Sequence, residues 1–210
     1  MAKPTTAPDN AIWQACLLAM VGGFSDAVGF LTFGAFAGAM TGNTVLLGIA
    51  LASAKFVQAA QSAGIIAAFL VGVAVSAVLR HYLSIAALLV LEVAVIVVAA
   101  LLDPLGAALV LALAMGLQNA AMTHFAGTSI NTVVLTDNLQ KFILALVRRD
   151  RATAAADHAA ATLVGAFWLS YLSGNVLGAL AWHFTAHPLL YAILPLPLVM
   201  LRRSTWRNDG

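Results

Sequence analysis

The stretch Gly23-Phe24-Ser25-Asp26-Ala27 returns later in the chain as Gly116-Leu117-Gln118-Asn119-Ala120, and Thr41-Gly42-Asn43 returns as Thr136-Asp137-Asn138. An apolar run follows in both places, over residues 44–52 and over residues 139–147. The shared order of the motifs predicts an internal duplication, with repeat 1 at about residues 11–102 and repeat 2 at about residues 105–201. Because polar groups recur at matched places in apolar sequence, we expect one site built from both copies.

The composition is typical of an integral membrane protein. Hydrophobic residues make up 62% of the 210 residues and charged residues only 9%, whereas a soluble domain carries about 25% charged residues. We therefore predict a single membrane domain over residues 1–210, with short loops. Cys16 is the only cysteine, which excludes a disulfide framework and a cysteine-only metal site.

Hydropathy predicts an all-α, polytopic fold of six to eight transmembrane helices. Six segments are long and apolar enough to cross a bilayer, at about residues 11–36, 62–79, 83–102, 105–125, 159–182 and 188–201. Two more, about residues 44–60 and 133–147, are short for a crossing and are predicted as short or broken helices. If both cross, the chain has eight crossings, which is the preferred arrangement; if both are re-entrant, it has six. Four crossings per copy would make the repeats parallel, and three would make them inverted.

Basic residues predict the orientation, because loops rich in Lys and Arg stay in the cytoplasm. Arg148, Arg149 and Arg151 form the densest basic loop, and the tail carries Arg202, Arg203 and Arg207. We expect both on the cytoplasmic side of the membrane, with both termini there and residues 185–188 outside.

Asp26 is the central candidate for chemistry. It lies deep in an apolar segment with no basic residue nearby, where a bare carboxylate is costly. A protonated carboxyl, an ion pair across the fold and a bound cation all remain open. So does a hydrogen-bonded carboxylate that only joins helices. Its echo, Asn119, keeps the hydrogen bonds without the charge, and Thr41 is a candidate cap for the helix that follows.

Further polar residues complete the predicted site. The predicted substrate- or ion-binding residues are Asp26, Thr41, Gly42, Asn43, Gln118, Asn119, Asn131, Thr136, Asp137 and Asn138. A proton path is predicted through Asp26, Glu92 and His124, since Glu92 lies mid-span and needs either an interior partner or such a role. Asp137 and Lys141 are one helical turn apart, so we expect them to neutralise each other.

Signatures of enzymes are missing from the sequence. It contains no His-Glu-x-x-His pair, no Gly-x-Ser-x-Gly elbow and no P-loop. His183 and His187 have a metal-compatible spacing, but no third ligand is evident. We therefore predict neither enzymatic activity nor a cofactor or metal, and no nucleic acid as a partner.

The motifs also resemble those of a known family. Residues 23–30 (GFSDAVGF), Met40-Thr41-Gly42-Asn43-Thr44 and residues 116–120 resemble the YoaK-like family of bacterial inner-membrane proteins, over nearly the whole chain. The family is described as uncharacterised transmembrane proteins, so the resemblance implies a fold and a location but no activity. In repeat 2 the family tends to have a Thr-Gly pair, where this chain has Thr136-Asp137.

Duplicated polar breaks in apolar helices are typical of transporters. We expect a small secondary transporter or channel in which Thr41, Asn43 and Asn138 bind a small polar solute or ion, and Asp26 couples protons or cations. The alternatives are a non-transporting scaffold or sensory partner, whose polar residues only pack helices, and a membrane-embedded enzyme. The expected partners are the lipid bilayer, the solute and a second copy of the chain, because glycine stripes allow helices to associate.

Overall fold

The computed structural model describes residues 7–121, 124–125, 128–129, 140, 143 and 154–201, and the side chains of residues 12–121, 140, 143 and 162–200. Within these residues the α-helices are α1 (Ala7–Phe33), α2 (Met40–Ala52), α3 (Phe56–Leu79), α4 (Ile85–Ala99), α5 (Pro104–Ala121), α6 (Ala154–Phe184) and α7 (Pro195–Leu201). A 3₁₀ helix covers Pro188–Ile193, and two strands of two residues each, His124–Phe125 and Thr128–Ser129, pair antiparallel. Four of the helices are long and apolar enough to cross a bilayer. The protein is therefore an all-helical membrane protein.

The first helix ends earlier than the hydropathy predicts. Gly34 adopts a left-handed backbone with φ +70°, and its N–H donates to the carbonyl of Phe30 at 2.9 Å. This is a helix-ending geometry that favours glycine. The helix therefore stops at Phe33 rather than at Phe36.

The segment predicted at residues 44–60 is not one helix. Helix α2 begins at Met40 and ends at Ala52, and α3 begins at Phe56 rather than at Ser62. Between them the chain reverses, with Ala54 in a left-handed conformation (φ 55°) and the Lys55 N–H donating to the Ala50 carbonyl at 2.8 Å. At 1.5 Å per residue α2 is about 20 Å long, shorter than the roughly 30 Å hydrocarbon layer.

Local chemistry also fixes the later boundaries. The Asp103 carboxylate accepts hydrogen bonds from the N–H groups of Leu105 and Gly106, both at 3.1 Å, and so caps the start of α5. This helix ends at Ala121, so the prediction that it reaches Phe125 is wrong. The predicted helix at residues 188–201 is divided, because Pro195 cannot continue the ladder of the 3₁₀ helix before it.

Contacts between helices fix their directions. Gly174 and Gly178 of α6 lie against Met20 and Phe24 of α1 in the same order, so α1 and α6 run parallel. Helices α3 and α5 are also parallel, since Gly64 lies near Leu109 and Arg80 donates to the Ala120 carbonyl at 3.0 Å. The Gln118 amide near the end of α5 donates to the Leu18 carbonyl, in the first half of α1, at 3.1 Å, and the start of α5 lines the same cavity as the end of α1. Helices α1 and α5 are therefore antiparallel.

The interior is apolar, as is much of the outer surface. Fully buried side chains include Leu18, Leu89, Ile96, Leu111, Met115, Phe167 and Leu196. Large apolar side chains such as Val57, Val78 and Val176 are exposed on the outside. An outer surface of this kind suits contact with lipid.

Candidate functional site

Asp26 on α1 hydrogen-bonds to the chain just before α2 and to a side chain on α6. We call residues 34–39, between α1 and α2, the first helix break. Its side chain is 1% exposed. One carboxylate oxygen accepts hydrogen bonds from the backbone N–H groups of Gly38, at 2.6 Å, and Ala39, at 3.2 Å. The other accepts a hydrogen bond from the Tyr171 hydroxyl on α6. Ala39 is the N-cap position of α2 and Gly38 precedes it, so the carboxylate of α1 holds the chain just before α2 and acts as a cap supplied from another helix.

Asn43 holds the connection between α1 and α2 in place. Its side chain is fully buried. The amide oxygen accepts from the Phe36 N–H at 2.9 Å, and the amide nitrogen donates to the Phe36 carbonyl at 2.7 Å. One side chain thus satisfies both backbone groups of a residue outside any helix, as a buried backbone requires.

The motif Thr41-Gly42-Asn43 lies in the first turn of α2, after the break rather than in it. Thr41 is exposed, and no side chain caps the helix from the cap position, Ala39. The expectation that Thr41 is the cap is therefore wrong. A Cβ added to Gly42 would lie 2.7 Å from the Phe36 ring, so the glycine leaves room for that ring.

The first helix break returns from the end of α1 to the level of Asp26. Asp26 is seven residues before Phe33, about 10 Å along the helix axis. Since Asp26 binds the N–H groups at the start of α2, the chain turns back by about this distance before α2 begins. The Gln61 amide of α3 donates to the Phe33 carbonyl at 3.2 Å, which places the start of α3 beside the end of α1.

The second copy of the motif is only partly described. Gln118 and Asn119 lie near the end of α5, and neither the Gln118 Oε1 nor the Asn119 Oδ1 has a hydrogen-bond partner among the described residues. His124 lies in a two-residue strand. Asn131, Thr136, Asp137 and Asn138 lie outside the described residues, as does Lys141. A meeting of the two breaks therefore stays a prediction.

Glycines allow the backbones of α1 and α6 to come into direct contact. A Cβ on Gly23 would overlap the carbonyl of Tyr171, and a Cβ on Gly174 would overlap the carbonyl of Met20. Small residues at such crossings permit close packing of membrane helices. The crossing lies one turn from Asp26 and brings Tyr171 to it.

The crossing of α3 and α5 has the same construction. A Cβ on Gly116 would overlap the carbonyl of Phe69, and a Cβ on Gly72 would overlap the carbonyl of Leu113. Here Phe69 stands where the other crossing has Tyr171. Phe69 has no hydroxyl group, whereas Tyr171 has one.

The sequence predicts an interior partner or a proton-path role for Glu92. The residue is 1% exposed, with no partner for either carboxylate oxygen among the described residues. Tyr171 was missed as a site residue. The signal was its alignment with Phe69, because the copy with Asp26 has the hydroxyl and the copy with Asn119 lacks it.

A cavity of about 160 Å³ opens at the end of the bundle that holds the end of α1 and the start of α5. We call it the vestibule. Its lining includes Val28 and Thr32 of α1, Ala99 of α4, Ala107 of α5 and His187 before the 3₁₀ helix. In the part of the chain that the structure describes, no group of three His, Cys, Asp or Glu side chains is placed to hold a metal.

Comparison with known proteins identifies a family without a known activity. Neither a curated protein nor a solved structure matches the chain. A family profile matches residues 14–202, nearly the whole length. The expected membership of an uncharacterised family is thereby confirmed, while the narrower YoaK-like resemblance stays a prediction. The chain belongs to the family described as "protein of unknown function (DUF1275)".

Proposed function

We propose that the protein is a small secondary transporter or channel built from two inverted-topology repeats. Each repeat has three crossings and one re-entrant segment, and the site for a small polar solute or ion lies where the two segments meet. The observation that carries this proposal is the identical construction of the two glycine crossings.

The two crossings correspond residue by residue under the sequence echo. The echo pairs Gly23 with Gly116. The stretch Phe69-Leu70-Val71-Gly72 can also be aligned with Tyr171-Leu172-Ser173-Gly174, which pairs Gly72 with Gly174. Gly23 and Gly116 each face the carbonyl that lies three residues before the glycine of the partner helix. Gly174 and Gly72 in turn each face the carbonyl that lies three residues before Gly23 and Gly116, respectively. Each crossing joins one repeat to the other, which supports a two-fold relation between them.

The helix directions favour inverted repeats. The two first helices, α1 and α5, run antiparallel, and each is parallel to the third helix of the other repeat. A rotation axis in the membrane plane would produce this pattern, which many secondary transporters use. Parallel repeats would require α1 and α5 to run the same way.

Six crossings then follow, with both short segments re-entrant. The start of α1, the end of α3, the end of α5 and the start of α6 all lie on one side of the bundle. Nine of the ten basic residues lie on or between those chain ends or in the tail, and Lys55 is the exception. The positive-inside rule makes this side cytoplasmic and supports placement in the inner membrane, with the vestibule opening outside. The eight-crossing arrangement that we preferred on sequence grounds would put Arg80 outside.

The proposed site is the first helix break and its expected counterpart. A helix start inside the membrane offers N–H groups to a ligand, and in this structure Asp26 occupies those of Gly38 and Ala39. Thr41, Asn43, Asn138 and Asp137 are the proposed neighbours of the solute. A solute that replaces the Asp26 carboxylate at these two N–H groups would release the break from α1.

A scaffold or sensory partner is the second candidate. Asp26 and Asn43 are both hydrogen-bonded within the protein, and glycine crossings also serve packing alone. A scaffold needs no water at the two breaks, whereas a transporter does.

Cysteine accessibility separates these candidates. In a Cys16→Ser background, we expect Thr41→Cys and Asn138→Cys to react with a membrane-impermeant methanethiosulfonate reagent. Val71→Cys, an exposed apolar position on α3, is the control for a lipid-facing site and should not react. Labelling of neither Thr41→Cys nor Asn138→Cys would favour the scaffold.

A further inference from the structure

We propose that Glu92 is a proton-exchanging carboxyl that water reaches from the vestibule. The proton is the ligand, and the site is distinct from the Asp26 break. Its role in driving transport depends on the proposed function, but the proton exchange itself does not.

Among the residues that the structure describes, Glu92 has no counter-charge on the elements that pack against α4. These are α5, the 3₁₀ helix and α7. Helices α5 and α7 contain no ionisable residue, and the 3₁₀ helix contributes only Tyr191, which is 46% exposed. On α1, which shares the vestibule with α4, Asp26 is already bound by three donors and Cys16 is uncharged as a thiol.

Deeper in the protein than the vestibule, the same faces of α4 and α1 carry buried polar atoms that have no hydrogen-bond partner among the described residues. On α4, Ala99 lines the vestibule, and Glu92 lies on the same face two turns deeper, about 10 Å along the axis. On α1, Val28 lines it, and Ser25 lies one turn deeper on the same face. The Ser25 Oγ is buried and has no partner among the described residues.

A third unpartnered atom extends this column of polar groups toward the cytoplasmic side. Gln118 follows Ala107 on the vestibule face of α5, about 16 Å deeper. Its nitrogen is bound to the Leu18 carbonyl, and its Oε1 is free among the described residues. Ser25 and Gln118 occupy equivalent positions in the sequence echo. Both repeats thus contribute one polar oxygen to the interior that Glu92 faces.

A proton fits this environment better than a larger ligand. A lone carboxylate in an apolar interior is costly without a partner, whereas the neutral acid needs only a hydrogen bond. On release, the O–H bond of Glu92 breaks, the electron pair stays on the carboxylate, and a water that has entered from the vestibule and hydrogen-bonds to Glu92 accepts the proton.

Dicyclohexylcarbodiimide is the probe, because it modifies protonated carboxyls in apolar surroundings. We expect an adduct on the peptide containing Glu92 in the purified, folded protein, decreasing at least tenfold as the pH is raised, with no protection by NaCl. Asp26 should remain unmodified, since its carboxylate is engaged. Glu92→Gln removes the adduct, and Asp26→Asn retains it.

Two results would overturn the proposal. The first is no adduct at Glu92 at any pH, which would mean a carboxyl sealed from exchange. The second is protection by NaCl but not by KCl, which would mean a sodium site in place of a proton site.

Proteoliposomes carrying an internal pH-sensitive dye separate this inference from the transport proposal. A pH-dependent adduct without any proton flux would support the exchange site and count against transport. Proton flux that persists undiminished in Glu92→Gln would overturn the role of Glu92 and leave transport standing.

Discussion

At the scale of the residue, Asp26 and Tyr171 form the contact that the sequence alone does not reveal. The residues are 145 positions apart, and no local pattern joins them. The copies nevertheless differ in a correlated way, because Asp26 meets a tyrosine where Asn119 has Phe69 as its counterpart. A hydroxyl is present where there is a carboxylate to bind it.

A double-mutant cycle tests this coupling. Tyr171→Phe leaves one Asp26 oxygen buried without a partner, so we expect it to cost about 1–3 kcal/mol. Asp26→Asn combined with Tyr171→Phe introduces the two residue types that the sequence echo has at Asn119 and Phe69, and it should cost less than the sum of the single changes. Urea titration of each variant in detergent measures its free energy of unfolding. Strict additivity would show that the two side chains act independently.

At the scale of the element, the apolar segments were predictable and their ends were not. Hydropathy identified α3, α4 and α5 because charged or turn-forming residues such as Arg80, Asp103 and Pro104 flank them. It carried α1 too far, since Ala35, Phe36 and Ala37 are as apolar as the helix before them. Gly34 gave no decisive signal, because glycine is frequent inside membrane helices. The cap of α2 comes from α1, and a hydrogen bond across the fold lies beyond any local rule.

Two glycines isolate the backbone effect at the end of α1. A Cβ at either Gly34 or Gly48 would meet nothing within 4 Å, so packing does not change in either variant. Gly34 has a φ of +70°, and Gly34→Ala should destabilise the protein by about 1 kcal/mol. Gly48 lies inside α2, and Gly48→Ala should stabilise it by up to about 1 kcal/mol. Thermal unfolding in detergent should shift the two variants in opposite directions. A shift of the same sign in both would mean that the helix does not end at Gly34.

At the scale of the whole molecule, the arrangement of the helices constrains the topology more than hydropathy does. A count of apolar segments left six and eight crossings open, because residues 44–60 are too short to assign by length alone. The contact of Gln61 with Phe33 and the reversal at residues 53–55 place the start of α3 beside the end of α1. The pairing of α1 with α6 and of α3 with α5 depends on glycines at their crossings, and a hydropathy scale does not distinguish these glycines from their neighbours. The sequence predicts a repeat, but the choice between parallel and inverted copies depends on helix directions that only the structure provides.

The two turns that flank α3 decide between six and eight crossings. With six, Ser53 before α3 lies outside and His81 after it lies in the cytoplasm; with eight, the sides are exchanged. In the Cys16→Ser background, we expect a membrane-impermeant maleimide to label Ser53→Cys in intact cells and to label His81→Cys only after the cells are opened. Both positions are exposed at helix ends, so neither should be hidden by packing. Ala186→Cys, expected outside in both arrangements, is the internal control. Labelling of His81→Cys but not of Ser53→Cys in intact cells would restore the eight-crossing topology and remove the basis for inverted repeats.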